Sequence, residues 1–402
     1  MTAPVRRVAV VGAGLAGLSA AVAAHEVGAE VVVIERASRP GGATAQSAGW
    51  IWRYNDLATY RLCAPHGDAA VQERVVHQLD RDLEWLLARG VRAVERRTAR
   101  TFTSGMRVDP RQLVEALAAR LPDDALRLRT SVTGARPAND SGFELRLERQ
   151  VSAALPEPEP EWLHVDAIVF AGGGYAGDLA RVARDADVTE EVHARWLLRT
   201  DAGGDGTSID AVAALGAAIV PHAGECFCRV IAPGTEHDEA LVRGVGELLV
   251  PEAVLRTSTG EVVPRESFDW SGSHAVWQLA TMSGDGWLEL PRSALRTKLP
   301  AGTVEDVLRR AGAGGALVEG DRSIIRLAIA AGITHTIPGI RVDAAGAVLA
   351  PTAARRFRER TAPIPGLHAA GCDAFGTGAG GYASGLAQAL VLGRAAGTSA
   401  CS

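Results

Sequence analysis

The sequence has few of the features that mark several common protein classes. Its 402 residues include only five cysteines, a small and odd number that argues against a disulfide framework and predicts a reducing, cytoplasmic setting. It contains no run of about eighteen apolar residues, so we expect no membrane span. Since only a short stretch precedes the first apolar run, we expect no secretory signal there.

Charge of one sign is also missing. Lys and Arg number 42 against 47 Asp and Glu, a net charge of −5, and no basic block occurs, so we expect no nucleic-acid partner. The pair Cys226 and Cys228 lacks the further ligands that a metal site needs. With 47% hydrophobic and 22% charged residues, the chain is typical of a globular protein long enough for two domains.

The first 44 residues carry the strongest pattern. Four apolar residues lead into Gly12, Gly14 and Gly17, an alanine-rich helical stretch follows, and a second apolar run ends at Glu35. The pattern predicts strand, tight turn, helix and strand. Gly12 permits the turn, Gly14 lets the backbone approach a pyrophosphate, and Gly17 lets helix and strand pack closely. Unpaired N–H groups at the helix start attract phosphates, and an acidic strand end binds ribose hydroxyls.

A second glycine loop decides which dinucleotide is expected. Residues 41–49 read Gly-Gly-Ala-Thr-Ala-Gln-Ser-Ala-Gly. Here the chain resembles the FAD-binding flavoproteins of the fumarate reductase and 3-ketosteroid dehydrogenase group. The resemblance implies an α/β fold, a Rossmann-like FAD-binding domain with an inserted smaller α+β cap domain that binds substrate. Residues 36–49 contain neither His nor Cys, so we expect the FAD to be non-covalent.

The resemblance also implies a division of the chain. The FAD-binding domain comprises residues 1–218 and 334–402, and the cap comprises residues 219–333. In the group, the last helix points its N-terminus at the flavin pyrimidine. The cofactor contacts implied by the resemblance are Gly12, Gly14, Leu15, Ala16, Gly17, Glu35, Arg36, Gly41, Gly42, Ala43, Thr44, Ser47, Ala48, Gly49, Val132, Ala171, Gly172, Gly173, Asp205, Gly371, Cys372, Asp373, Gly385 and Leu386.

Periodicity predicts the elements between these motifs. Helices are expected at 68–89 and 110–121, strands at 126–133 and 143–147, and a surface loop at 153–161. Residues 166–175 read as a buried strand that runs into glycines. We interpret the glycine spacing as unlike that of a nucleotide-binding turn, and no acidic strand end follows, so we expect no separate nicotinamide domain. The aromatic residues at 50–54 form either a pocket wall or a buried strand.

Two residues are candidates for catalysis, Tyr382 and His335. Fumarate reductases hold dicarboxylates with arginines and histidines, but this chain has Tyr382, Cys228 and about Trp270 at three such positions. Only His335 matches. Because the chain has no cationic groups at these positions, the carboxylates of a buried dicarboxylate would be poorly paired, at a cost of several kcal/mol. We therefore expect no fumarate or succinate substrate. A tyrosine at 382 is similar to the ketosteroid dehydrogenases, in which a phenol hydrogen-bonds the substrate carbonyl.

These features predict an FAD-dependent oxidoreductase. The expected reaction exchanges a hydride between flavin N5 and a carbon next to a carbonyl-activated position, as desaturation or its reverse ene-reduction. A small, apolar or aromatic substrate and an unidentified electron acceptor or donor are the expected partners. One alternative is an oxidase of C–N or C–O bonds that uses oxygen. A rival outside enzymes is a flavin-binding redox sensor or structural flavoprotein.

Overall fold

A computed structural model describes most of the chain. The described residues are 5–96, 101–150, 159–220, 225–235, 245, 249–267, 269–299, 302–310, 317–319, 323–351 and 362–402. In these ranges no helix is long and apolar enough to cross a membrane.

The strands in chain order are β1 Arg7–Val11, β2 Glu30–Ile34, β3 Trp50–Tyr54, β4 Ala93–Glu95, β5 Thr103–Val108, β6 Leu126–Arg127, β7 Thr130–Pro137, β8 Phe143–Arg149, β9 Glu161–Val165, β10 Ala167–Phe170, β11 Leu197–Leu198, β12 Ile219–Val220, β13 Cys226–Ile231, β14 Val254–Thr257, β15 Asp285–Pro291, β16 Lys298–Leu299, β17 Gly302–Thr303, β18 Leu317–Glu319, β19 Ile324–Thr336, β20 Gly339–Ile340, β21 Ala347–Leu349 and β22 Pro363–Ala369. The α-helices are α1 Leu15–Glu26, α2 Gly42–Ala45, α3 Leu57–Cys63, α4 Ala69–Leu87, α5 Pro110–Ala118, α6 Leu179–Asp185, α7 Glu190–His193, α8 Thr207–Ala214, α9 Ser273–Met282, α10 Val304–Arg310 and α11 Gly385–Ser399. Short 3₁₀ turns occupy Val250–Glu252, Arg292–Arg296 and Gly371–Asp373.

A six-stranded sheet forms the centre of the larger part of the molecule. Its order is β21-β22-β10-β1-β2-β6, parallel except for the edge pair of β21 and β22. The central strands are buried on both faces, as their unbroken apolar runs predict. Because parallel strands end at one edge, the turns after β1, β2 and β10 meet there.

Helices α1 and α11 cross at a contact made of small residues. A Cβ atom added to Gly393 would collide with the carbonyl oxygen of Ala16, and one added to Gly397 would collide with that of Ala20. The absence of side chains lets the two backbones touch, as in other small-residue helix crossings. This contact sets α11 against the helix that carries the first glycine turn.

A second, mostly antiparallel sheet lies on the other side of the site. Its order is β11-β19-β15-β14, and β13 and β18 also pair with β19. Strand β19 runs through residue 333, the predicted cap edge, and β11 precedes the other edge at 219. The domain limits stay a prediction.

The local predictions hold in part. The predicted helix 68–89 is α4, whose start is capped by the side chain of Asp68. The predicted strand 126–133 was wrong as one element: it divides into β6 and β7, because Arg129 between them has a φ of 52° that an extended strand does not allow. Most of the loop predicted at 153–161 lies outside the described residues, and Glu161 already begins β9.

Candidate active site

One large cavity opens where the turns after β1, β2 and β10 face the second sheet. Its volume is about 1260 Å³, more than the roughly 300–1,000 Å³ of a typical ligand pocket. The position outside the carboxyl ends of parallel strands is where open α/β sheets bind ligands. The cavity therefore has room for a dinucleotide and a second, smaller molecule.

The glycine turn after β1 is built as the sequence predicts. Gly12 has a φ of 99°, and a Cβ there would collide with the carbonyl of Ala171. A Cβ on Gly17 would collide with the carbonyl of Gly12, so Gly17 packs α1 onto β1 and lies behind the cavity wall. Gly14 lines the cavity at the start of α1, where the first helical N–H groups lack intrahelical acceptors.

Glu35 closes the far side of this turn. Its side chain is 8% exposed and accepts hydrogen bonds from the amides of Ala13 and Ala37, both at 2.8 Å. The carboxylate is thus fixed at the cavity edge, and each oxygen keeps a further lone pair for a ligand hydroxyl.

The second glycine loop is tied to the first. Thr44 Oγ1 accepts a hydrogen bond from the amide of Leu15 at 2.9 Å, and the amide of Gly41 donates to the carbonyl of Ala13 at 3.0 Å. Gly41, at a φ of 126°, makes the bend and does not line the cavity. The two loops are therefore one rigid unit.

Arg36 and Asp205 come together from distant parts of the chain. Arg36 Nη1 donates to Asp205 Oδ2 at 2.7 Å, and both residues line the cavity. Their half-exposed pair closes the wall beside Glu35.

The glycine turn after β10 is occupied by the protein itself. The expected difference in spacing was wrong, since Gly172, Gly174 and Gly177 repeat the spacing of Gly12, Gly14 and Gly17. The amides of Gly172 and Gly174 nevertheless donate to the carboxylate of Asp373, at 2.6 and 2.7 Å. Burial raises the pKa of Asp373 to about 6, against the opposing effect of these amides. Asp373 thus braces the turn from behind and does not face the cavity, unlike its expected role.

Most of the predicted cofactor contacts line this one cavity. They are Gly12, Gly14, Leu15, Ala16, Glu35, Arg36, Gly42, Ala43, Thr44, Ser47, Ala48, Gly49, Val132, Ala171, Gly172, Gly173, Asp205, Gly371, Cys372, Gly385 and Leu386. Only Gly17, Gly41 and Asp373 of the set are absent from the lining.

The N-terminus of α11 faces this cavity. Ser384 caps the helix by accepting from the amide of Ala387 at 3.2 Å, and its hydroxyl donates to the carbonyl of Trp50 at 3.2 Å. Trp50 and Trp52 of β3 both line the cavity, so the aromatic stretch is a strand and a pocket wall at once.

Tyr382 and His335 lie together, joined by a residue that the sequence analysis did not single out. Phe227 stands opposite His335 in the pairing of β13 with β19. Its ring stacks on His335 at 5.0 Å between centroids and on Tyr382 at 5.1 Å. All three residues line the cavity.

Arg229 places a cationic group at the cavity, at a position that was not matched to the family. Its Nη2 donates to the Tyr382 hydroxyl at 3.2 Å, and its guanidinium lies 5.0 Å from the Phe227 ring centre. Arg229 was not predicted, because only positions matched to the family were considered. Strand alternation offered a signal: Cys226 and Cys228 are buried on one face of β13, while Phe227 and Arg229 line the cavity on the other.

The surroundings keep His335 neutral. Burial, aided by the nearby Arg229 charge, lowers the pKa of His335 from 6.5 to about 4. An unprotonated imidazole therefore faces the cavity at neutral pH and is able to accept a proton.

Tyr382 is packed more closely than its glycine-rich neighbours predict. Its ring contacts Trp52 and Trp270, at 5.1 and 5.5 Å between centroids. The Tyr54 hydroxyl donates to the Tyr382 carbonyl at 2.7 Å and accepts from Trp270 Nε1 at 3.0 Å. The ring and backbone of Tyr382 are thus held by their neighbours, and its hydroxyl lies beside Arg229.

The thiols near the site are protonated. Burial raises the pKa of Cys228 above its usual range, and raises that of Cys372, which lines the cavity, to about 12. The described residues contain no cluster of three or more potential metal ligands.

Comparisons with known proteins agree with this geometry. A family profile described as an FAD-binding domain matches residues 7–138. Over 99 residues the chain is 37% identical to 3-oxosteroid 1-dehydrogenase of Mycolicibacterium smegmatis, a segment that spans 21% of this chain and only 17% of that relative.

Solved structures match almost the whole chain. A flavocytochrome c3 fumarate reductase shares 18% identity at a TM-score of 0.70, over 99% of this chain and 78% of its own. The 3-ketosteroid-Δ4-(5α)-dehydrogenase from Rhodococcus jostii shares 19% identity at 0.67, over 100% and 98%. The 3-ketosteroid Δ1-dehydrogenase from Sterolibacterium denitrificans shares 15% at 0.68, over 98% and 99%. These likenesses confirm the expected α/β fold.

Proposed function

We propose that the cavity holds one FAD without a covalent link. The glycine turn after β1, the start of α1 at the cavity and the fixed carboxylate of Glu35 suit a pyrophosphate and a ribose. A Cβ on Gly12 would collide with the carbonyl of Ala171, so glycine there lets the turns after β1 and β10 come together at the cavity. Residues 36–49 contain no His or Cys that could tether a flavin.

We further propose an oxidoreductase that acts on a C–C bond next to a carbonyl group. The observation that carries this proposal is the position of Tyr382, which lines the cavity beside His335 and whose hydroxyl lies 3.2 Å from Arg229 Nη2. Bound FAD supplies hydride transfer at its N5 atom. Tyr382 donates to the substrate carbonyl oxygen, which stabilises the charge that develops there. His335, neutral at pH 7, takes or returns the proton on the carbon next to the carbonyl.

The walls favour an apolar or aromatic substrate. Phe227, Trp50 and Trp52 line the cavity, and flat apolar rings bind other rings and aliphatic surfaces well. Two of the similar structures contain the steroid ketones 4-androstene-3,17-dione and 1,4-androstadiene-3,17-dione. A cyclic ketone is therefore the first substrate class to test. The division into FAD-binding domain and cap, and the cytoplasmic setting, belong to the same proposal.

The test uses the FAD-loaded protein in both directions under anaerobic conditions. Photoreduced protein is mixed with 2-cyclohexenone or 1,4-androstadiene-3,17-dione, and oxidised protein with 4-androstene-3,17-dione, while flavin absorbance is followed. We expect at least one ketone to oxidise or reduce the flavin with saturation. A structural or sensory flavoprotein would react with none of these ketones. An amine or alcohol oxidase would be reduced only by an amine or an alcohol and reoxidised by oxygen.

A further inference from the structure

The contact between Arg229 and Tyr382 fixes where the phenol proton points. A guanidinium has only N–H donors and never accepts a hydrogen bond. Since Arg229 Nη2 lies 3.2 Å from the Tyr382 hydroxyl, the phenol oxygen must be the acceptor of this bond. Its own proton is then directed away from Arg229 and is available to another acceptor.

The packing of the ring limits the directions that remain. Trp52, Phe227 and Trp270 surround the aromatic ring, and Phe227 lies under both the ring and the guanidinium. Tyr382 and Arg229 both line the cavity. With rings packed around Tyr382, the cavity is the direction left open for the phenol proton.

We propose that Arg229 is a positioning residue that aims the Tyr382 hydroxyl at the carbonyl oxygen of a ketone substrate. This inference rests on the proposed function. Arg229 acts through the phenol in two ways. Its hydrogen bond keeps the phenol hydroxyl oriented before the reaction. Its permanent positive charge stabilises the negative charge that builds up on the phenol oxygen as the substrate oxygen becomes negative.

A first measurement needs no substrate. The ratio of the paired tyrosine ring bands in ultraviolet resonance Raman spectra reports whether the phenol oxygen accepts or donates a hydrogen bond. The chain has four tyrosines, so subtracting the Tyr382→Phe spectrum isolates Tyr382. We expect the acceptor signature in the FAD-loaded wild type, its loss in Arg229→Met, which has no side-chain donor, and its recovery in Arg229→Lys.

The matched control is Arg326→Met. Arg326 belongs to the same sheet, is half-exposed and pairs with Glu289 at 2.8 Å, outside the cavity lining. It should leave the Tyr382 signature unchanged. An Arg229→Met protein that retains the signature overturns the proposal, whether or not any ketone reacts.

The second measurement is a double-mutant cycle on flavin reduction or oxidation by the ketone found above. Arg229→Met should slow the reaction roughly tenfold to a hundredfold in the wild-type background, mainly in the maximal rate and little in the concentration for half-saturation. In the Tyr382→Phe background the same change should cost less than about twofold, because the group it acts through is gone. Equal effects in both backgrounds would overturn the proposal. Failure of every ketone to react would remove the proposed function, and the Raman spectra would still decide whether Arg229 orients the phenol.

Discussion

At the scale of single residues, the aromatic packing of Tyr382 makes its replacement unusually informative. Three ring contacts and the Tyr54 hydrogen bond hold the ring and backbone without using the phenol oxygen. Tyr382→Phe should therefore keep the fold and the FAD content. If the hydroxyl donates to a carbonyl that gains charge during reaction, its loss should slow flavin reduction by the substrate about a hundredfold to a thousandfold, measured by stopped-flow absorbance.

The matched control is Tyr60→Phe. Tyr60 is fully buried beside Tyr54 and does not line the cavity, so the same loss of a hydroxyl should leave the rate within about twofold. A Tyr382→Phe protein that reacts at the wild-type rate would show that Tyr382 only packs.

His335 makes a prediction about pH. Its folded-state pKa of about 4, against an ordinary 6.5, means that the imidazole stays neutral until the pH approaches 4. Flavin reduction by the substrate should therefore be level from pH 8 to 5 and fall as the pH nears 4. Arg229→Gln removes the second cause of the lowered pKa, so its acid limb should move to higher pH.

The measurement is the rate of flavin reduction against pH, with FAD content determined at each point. That control is needed because Asp373, which braces a glycine turn, has a pKa of about 6 and its protonation could loosen the cofactor. An acid limb near 6.5 with full FAD content would contradict a buried neutral His335.

At the scale of elements, some of the site follows from local pattern and some does not. The turn at Gly12 and the acid at Glu35 could be predicted because strand, helix and strand succeed one another within 44 residues. The brace from Asp373 to Gly172 joins residues 201 positions apart, and no local rule states such a pairing. Arg229 is an intermediate case. Alternation along β13 indicates that it shares a face with Phe227, but only the structure shows that this face contacts Tyr382.

Strand β2 offers a test of cofactor binding through Glu35. Glu35→Ala removes a charged acceptor at the cavity and should weaken FAD retention by about 1.5–3 kcal/mol, measured as the dissociation constant after reconstitution of apoprotein. Glu35→Gln keeps an acceptor oxygen but loses the charge and should fall between the two. Unchanged affinity in Glu35→Ala would mean that the role of Glu35 is limited to binding the amides of Ala13 and Ala37.

The absence of a tethering His or Cys in residues 36–49 makes a separate prediction. Acid precipitation of the wild type should release all the chromophore as FAD, and flavin left in the pellet would contradict a non-covalent link.

The crossing of α1 and α11 makes a separate prediction about stability. Gly397→Leu places a side chain where a Cβ already collides with the Ala20 carbonyl. Pushing the helices apart should destabilise the protein by about 1–3 kcal/mol, seen in the midpoint of denaturant unfolding. Thr398→Ala, one residue on and exposed, is the control and should change stability by no more than about 0.5 kcal/mol. A Gly397→Leu protein as stable as wild type would mean that the crossing has room to adjust.

At the scale of the whole molecule, the site is shared between two sheets. His335 and Tyr382 belong to the sequence segment 334–402, whereas Phe227 and Arg229 come from the segment that the resemblance implies to be a cap. The family resemblance was strong in the first and weak in the second. A single sequence therefore predicted the residues around the glycine turns better than those of the second sheet, such as Phe227 and Arg229. The position of these two residues depends on how the second sheet packs against the first.

The arrangement of glycine turns across the molecule leads to the last prediction, that nicotinamide cofactors do not reduce the flavin at a site of their own. Among the described residues, the turn after β1 joins a glycine motif to a helix start and an acidic strand end. The turn after β10 has similar spacing, but its amides already bind the Asp373 carboxylate, which takes the place a phosphate would need. NADH and NADPH should therefore react only slowly, with a rate that rises linearly with concentration in anaerobic stopped flow. Photoreduction of the same sample serves as the control that the flavin is redox-active. Rapid reduction that saturates with either nucleotide would contradict the prediction and would require a second dinucleotide site elsewhere in the chain.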